Sequence, residues 1–159
     1  HEYIINKALE ICDKVLVFIG SSDKSGTIEN PFSYELREKL IKKIYKNEIM
    51  ENKLVISPLA DLGAGNVTKW GDYLFCEAEK ILGKVDCIVY GEESKCKSWF
   101  SEKIKKSVNF IVISRDDIKI NASTLREYMR KNDFESWKKF VNEKNWGEFE
   151  KMREILIKI

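Results

Sequence analysis

Val15-Leu16-Val17-Phe18-Ile19, stopped by Gly20-Ser21-Ser22, decides the fold class of this chain. A short, unbroken apolar run rich in β-branched residues reads as a strand buried on both faces, as in a covered parallel sheet. Its flanks are helical. Ahead of it Ile4, Ile5, Ala8, Leu9 and Cys12 recur at helical spacing. Beyond the polar loop that ends at Pro31, Ser33 is a candidate N-cap for a helix with Leu36, Leu40, Ile41 and Ile44 on its inner face.

The alternation continues outward. Leu54-Val55-Ile56 is predicted as a strand, and residues 57–68 as a loop. Lys69–Leu82 is predicted as a helix with Trp70, Tyr73, Leu74, Ala78, Ile81 and Leu82 inward. Cys87-Ile88-Val89-Tyr90 is a further strand, ended by Gly91, followed by a short helix over residues 95–105 and a last strand, Phe110–Ile113. The tail is helical: Ser123–Arg130, then a turn or two capped by Asp133, then a stripe of Trp146, Phe149, Met152, Ile155, Leu156 and Ile159 read as core packing. Strand–helix alternation of this kind predicts an α/β, Rossmann-like doubly wound parallel sheet with C-terminal helices, in a single domain over residues 1–159. The chain opens on a helix where a strand and loop should come first, so a first strand is expected upstream of His1. Ligands of such folds bind beyond the carboxyl ends of the strands. The loops in question are residues 20–31, 57–68, 91–95 and 114–123, which hold most of the Gly, Ser, Asn and Asp.

With 159 residues, the chain can bury a sizeable core. Its 28 basic and 26 acidic residues leave a net charge of +2. That balance argues against a dedicated nucleic-acid or membrane-surface binder, and no apolar run approaches the ~20 residues of a membrane span. Cys12, Cys76, Cys87 and Cys96 form no CxxC pair. Reduced thiols in a cytoplasmic protein are expected, with no structural metal.

Ile120-Asn121-Ala122-Ser123-Thr124-Leu125-Arg126 follows the last strand and opens a helix. A small polar residue, a hydroxyl and an arginine at a helix N-terminus make a receptor for phosphate. Free N–H groups and the helix dipole face the anion there, and a guanidinium can clamp it with two bonds.

Two stretches carry a resemblance. Gly20-Ser21-Ser22-Asp23-Lys24-Ser25-Gly26-Thr27-Ile28-Glu29-Asn30-Pro31-Phe32-Ser33, with Arg37 beyond it, resembles the signature of nicotinamide mononucleotide adenylyltransferases of the archaeal and bifunctional bacterial type. These belong to the nucleotidyltransferase superfamily with HxGH and ISxTxxR motifs, and Ile120–Arg126 resembles the second motif. His1 resembles the last histidine of HxGH, whose first half lies outside the chain. Asp61 and Trp70 resemble the Asp and Trp placed around the nicotinamide ring. The departures are Asn121 at the motif serine, Ser123 at the motif threonine, and Leu36 where the family has a glutamate before the arginine.

The resemblance implies transfer of AMP from ATP to nicotinamide mononucleotide, giving NAD and pyrophosphate. His1 would donate to the α-phosphate, and Arg126 and Ser123 would hold the β- and γ-phosphates beside Asn121. Gly20 and Ser21 would let the backbone approach the nucleotide, with Gly91 ending a strand on the same edge. Asn30, Arg37, Asp61 and Trp70 would serve the acceptor, Trp70 by stacking. Mg²⁺ would bridge the phosphates, held by substrate and water and not by a protein metal site. Other readings stay open: CTP in place of ATP, another phosphate ester as acceptor, or a nucleotide-binding sensor without turnover. Homo-oligomerisation is open too. In the blander reading of the same residues, Trp70 is core, Asn121 is simply an N-cap, and Arg126 pairs with a surface carboxylate.

Overall fold

The computed structural model of the chain describes residues 1–62, 67–91, 96–114 and 120–159, and of residues 67 and 68 only the backbone. The parts of the predicted loops over residues 63–66, 92–95 and 115–119 therefore lie outside the described residues. Helix α1 (Glu2–Ile11) leads to strand β1 (Val15–Ile19), then α2 (Tyr34–Ile44), the short α3 (Lys46–Met50) and β2 (Leu54–Pro58). Next come α4 (Val67–Leu82), β3 (Cys87–Gly91), a 3₁₀ turn at Cys96–Trp99, α5 (Glu102–Ser107) and β4 (Asn109–Ile113). The tail is α6 (Ala122–Arg130), α7 (Phe134–Trp137), 3₁₀ segments at Lys138–Phe140 and Glu143–Glu148, and α8 (Phe149–Leu156).

All four strands among the described residues fall where the apolar runs predict them, and both pairings are parallel. β1 pairs with β2 in the register Val15 to Leu54 through Ile19 to Pro58, and β3 with β4 from Cys87 to Asn109 through Gly91 to Ile113. The described strands thus form two two-stranded parallel sheets in place of one doubly wound sheet. The expected double-sided burial of β1 is also not met: Ile19 is buried, while Val15, Leu16, Val17 and Phe18 stay partly exposed. A two-stranded sheet leaves one edge of each strand without a neighbour, so the side chains along that edge keep part of their surface.

Three clusters make the core. Ile5, Tyr45 and Leu54 join α1 and α3 to β2. Phe75, Cys96, Phe100, Ile104 and Val108 join α4 and α5 to β3 and β4. Leu36, Met129, Trp137, Phe149, Met152 and Leu156 tie α2 to the tail. The caps follow the sequence: Ser33 Oγ accepts from Leu36 N at 3.3 Å and Asp133 Oδ1 from Ser136 N at 3.0 Å. Gly83, at φ +79°, ends α4, its N–H donating to Glu79 O at 2.8 Å.

Some expectations change. In α4 Ala78 is buried and Leu74 packs on the core as predicted, but Phe75 is also buried and Ile81 is 41% exposed, so the inner face is shifted at these two positions. The helix expected over residues 95–105 is broken at Phe100 into a 3₁₀ turn and α5. The last stripe is not continuous: Trp146 lies in the 3₁₀ segment Glu143–Glu148, and both it and Ile159 are exposed. Cys12 and Cys87 are small and apolar in context as expected, and their sulfurs lie 3.4 Å apart. Burial, reinforced by Cys87, pushes the Cys12 thiol up to about 11, which keeps it protonated.

Candidate functional site

The loop after β1 turns sharply at Ser21, whose φ of +48° lies in the left-handed region that side chains rarely adopt. Surrounding bonds hold it there. The Arg37 guanidinium, from the first turn of α2, donates Nη1–H to Gly20 O at 2.7 Å and Nη2–H to Ser21 O at 2.9 Å. The Ser21 hydroxyl lies 2.9 and 3.1 Å from the two Asp61 carboxylate oxygens. Backbone bonds from Ser22 N to Leu59 O (3.2 Å) and from Leu59 N to Ile19 O (3.0 Å) stitch the loops after β1 and β2 together.

Asp61 is the hub of this edge. It accepts Lys24 Nζ at 2.7 Å, and its own N–H donates to Asp23 Oδ1 at 3.3 Å. The Lys24 ammonium, and then the Ser21 hydroxyl, hold its carboxyl below the usual range. Asp61 stays ionised at neutral pH, and the loop is pre-formed. Further on the loop closes on itself: Thr27 N donates to Asn30 O at 3.3 Å, and Asn30 N to Thr27 Oγ1 at 3.0 Å.

The second group of residues opens α6. Asn121 is its N-cap, as the sequence predicts: Oδ1 accepts from Thr124 N at 2.9 Å and from Thr124 Oγ1 at 3.2 Å. The cap therefore shapes the first turn. Ser123 is exposed, and Arg126 Nη2 donates to its Oγ at 3.3 Å. Among the described residues Arg126 has no carboxylate partner, so the surface ion pair of the blander reading is not formed there. A hydroxyl and a guanidinium side by side in the first turn of a nine-residue helix are groups whose chemistry suits an anion.

One core carries both groups. Leu36, beside Arg37, and Met129, one turn along α6 from Arg126, are buried together, with Phe32 and Leu125 packed against them. No hydrogen bond joins the two groups among the described residues. Gly91 is buried at the end of β3.

His1 and Trp70 are carried by other elements, α1 and α4. His1 is exposed at the N-cap of α1, and its carbonyl accepts from Ile5 N at 3.0 Å. Trp70 is half-buried in the first turns of α4, its ring 5.7 Å from that of Tyr73 at 50°. Lys24 and Thr124 are the residues that motif reading passed over. The signal for Lys24 was available, as a lysine in a polar loop beyond a strand; the role of Thr124 shows only in the capping geometry. Among the described residues no group of three or more His, Cys, Asp or Glu could hold a metal ion, and no helix is long and apolar enough to cross a membrane.

No protein-family model matches the chain. Over 75 residues it is 31% identical to the nicotinamide-nucleotide adenylyltransferase of Saccharolobus solfataricus, a match that covers 46% of this chain and 42% of that protein. The chain thus spans less than half the length of the curated relative it matches, and the match supports a nucleotidyltransferase-like relationship.

Proposed function

We propose that the chain is an adenylyltransferase that moves AMP from ATP to nicotinamide mononucleotide, releasing pyrophosphate and giving NAD. The observation that carries this reading is the start of α6. There Ser123 and Arg126 are held together over a helix N-terminus capped by Asn121, with no described carboxylate to neutralise the guanidinium. The relative named for this reaction supports the choice of nucleotidyl transfer over simple anion binding.

The chemistry asks little covalent work of the protein. A phosphate oxygen of the acceptor attacks the α-phosphorus of ATP in line, the new O–P bond forms, and the bond to the β-phosphate oxygen breaks. The attacking monoester is already ionised, so no general base is needed. Positioning and charge neutralisation supply the rate. Arg126 and Ser123 take the β- and γ-phosphates, whose charge grows as pyrophosphate leaves. His1 donates to the α-phosphate. Gly20, Ser21 and Gly91 line the nucleotide edge, while Asn30, Asp61 and Trp70 face the acceptor. Part of the triphosphate's charge would be neutralised by Mg²⁺ held by the substrate and water.

Arg37 belongs to the acceptor side in another sense. With its guanidinium on the carbonyls of Gly20 and Ser21, it shapes the loop and is not a free cation for a second phosphate.

The test is NAD formation with pyrophosphate release from ATP, nicotinamide mononucleotide and Mg²⁺. It uses the full-length protein. Arg126→Ala should lower the rate about a hundredfold, the scale of one lost transition-state clamp. Release only with CTP or with another phosphate ester would overturn the acceptor or the nucleotide and keep the reaction class. Nucleotide binding with no turnover for any pair would make the chain a sensor.

A further inference from the structure

Cys12 and Cys87 stand 75 positions apart in the chain and meet sulfur to sulfur at 3.4 Å. Cys12 is the C-cap of α1, and Cys87 opens β3. The contact joins two separate cores. Ile5 of α1 is buried with Tyr45 and Leu54, while Ile88 of β3 packs on the cluster of Phe75, Phe100 and Val108. Among the described residues no strand of one sheet is hydrogen-bonded to a strand of the other. The four cysteines differ in what they can reach. Cys76 is exposed, and Cys96 is buried, which pushes its thiol up to about 11. Cys12 and Cys87 are both half-buried, so each is open to solvent while touching the other. Sulfurs in a disulfide lie about 2.05 Å apart, so the gap to close is about 1.4 Å.

We propose that Cys12 and Cys87 are a redox site, a dithiol that a small-molecule disulfide of the glutathione class converts into an intramolecular disulfide tying α1 to β3. The site does not depend on the reaction proposed above.

The attacking species in such an exchange is a thiolate. Burial and Cys87 keep the Cys12 thiol protonated, so Cys87 attacks first. A bond forms between the Cys87 sulfur and one half of the reagent, the reagent's own S–S bond breaks, and one small thiolate leaves. Cys12 then gives its proton to water, attacks the Cys87 sulfur and expels the second small thiolate. Two electrons and two protons pass from the protein to the reagent, which ends as two small thiols. Contact distance makes the second step intramolecular, which offsets the reluctance of Cys12 to ionise. The new bond closes a loop over residues 12–87. Cross-links of this kind stabilise by restricting the unfolded chain, more so for longer loops, so the oxidised protein should unfold at a higher urea concentration. It would also fix α1, the helix that His1 caps, onto the second sheet.

Peptide mapping tests this on the full-length protein, equilibrated with reduced and oxidised glutathione at a series of ratios, quenched in acid, alkylated and digested. Oxidising mixtures should give one linked pair of peptides holding Cys12 and Cys87, lighter than the two thiol peptides by two hydrogen atoms. Reducing mixtures should reverse it, and Cys76 should carry only glutathione or the alkylating group. The same oxidation in urea, with the fold absent, should scatter the pairing among the cysteines. The proposal is overturned if Cys12 and Cys87 are both alkylated under oxidising conditions, or each holds glutathione with no bond between them. A bond from either to another cysteine overturns it, as does an equal yield of the pair from the unfolded chain. So does a bond that forms only with a fall in the urea midpoint. Cys76→Ser should leave the linked pair in place, whereas Cys12→Ser should leave Cys87 holding glutathione alone. The mapping of the unaltered chain decides the matter even where a serine variant fails to fold.

Discussion

Arg37 shows how one side chain can shape a site it does not enter. Its fork meets two successive carbonyls, 2.7 Å from Gly20 O and 2.9 Å from Ser21 O, across the turn where Ser21 takes a positive φ. Hydrogen bonds from a charged donor contribute about 1.5–3 kcal/mol, which covers the roughly 1–3 kcal/mol a strained backbone residue costs. Arg37→Ala should therefore lower stability by about 2 kcal/mol in urea unfolding. Arg37→Lys should recover less than half of that, because an ammonium cannot match two carbonyls in a fixed fork. A loss under about 0.5 kcal/mol in the alanine variant would remove Arg37 from this positioning role. An arginine after a Gly/Ser loop reads as a ligand from sequence, and the fold adds that its guanidinium bonds the Gly20 and Ser21 carbonyls.

At the level of elements, α4 is held by what it lacks. Gly71 sits in the helix interior, where Ala would add up to about 1 kcal/mol of helix propensity. A Cβ there would meet Trp99 O at 2.3 Å and Phe100 Cγ at 2.9 Å. Neither approach is possible without moving the 3₁₀ turn Cys96–Trp99 off the helix. That turn is also fixed on its far side, where Ser101 N donates to Asp72 Oδ1 at 2.8 Å. Overpacking of this kind costs about 1–3 kcal/mol, so the clash outweighs the propensity. Gly71→Ala should shift the urea midpoint to lower denaturant. A gain in stability would mean that the helix and turn can separate freely. The predicted inner face of α4 holds at Leu74 and Ala78 but misses Phe75 and wrongly includes Ile81. Periodicity locates a stripe, but the neighbour that packs on it, here Phe100 and Ile104 against Phe75, decides which edge of the stripe is buried.

Across the whole molecule, Glu148 joins the tail to helix α2. It is 7% exposed and accepts from Lys39 at 2.8 Å and from Lys43. Nearby, Asn145 Nδ2 donates to Leu40 O at 3.1 Å, and Trp137 and Phe149 fill the core below. Lys39, then Lys43, hold the Glu148 carboxyl down to about 2. A carboxyl lowered in the folded state stabilises above its unfolded value, near 4.3, and the contribution is lost as pH falls toward the folded value. With the lysines at 48% and 35% exposure, solvent screening keeps this contribution to about 1–2 kcal/mol. The melting temperature should therefore drop between about pH 5 and pH 2, and Glu148→Gln should flatten that drop while lowering stability at pH 7. An unchanged pH profile in the variant would show that the pair contributes nothing. Because α2 also carries Arg37, the tail helices support the loop as well as the core.

By itself the sequence determined the local elements: four strands from their apolar runs, the caps at Ser33, Asn121 and Asp133, and the hydroxyl–guanidinium pair at the start of α6. Each depends on residues within a few positions of one another, and so on periodicity and capping chemistry that a linear reading contains. Only the tertiary structure decided how the strands are divided between two sheets, that Lys24 and Ser21 meet Asp61, that Arg37 braces a backbone turn, and that Glu148 draws two lysines of α2 to the tail. Those contacts join residues far apart in the chain, and their partners are chosen by packing and by which edges and charges are left to be satisfied, which no spacing records.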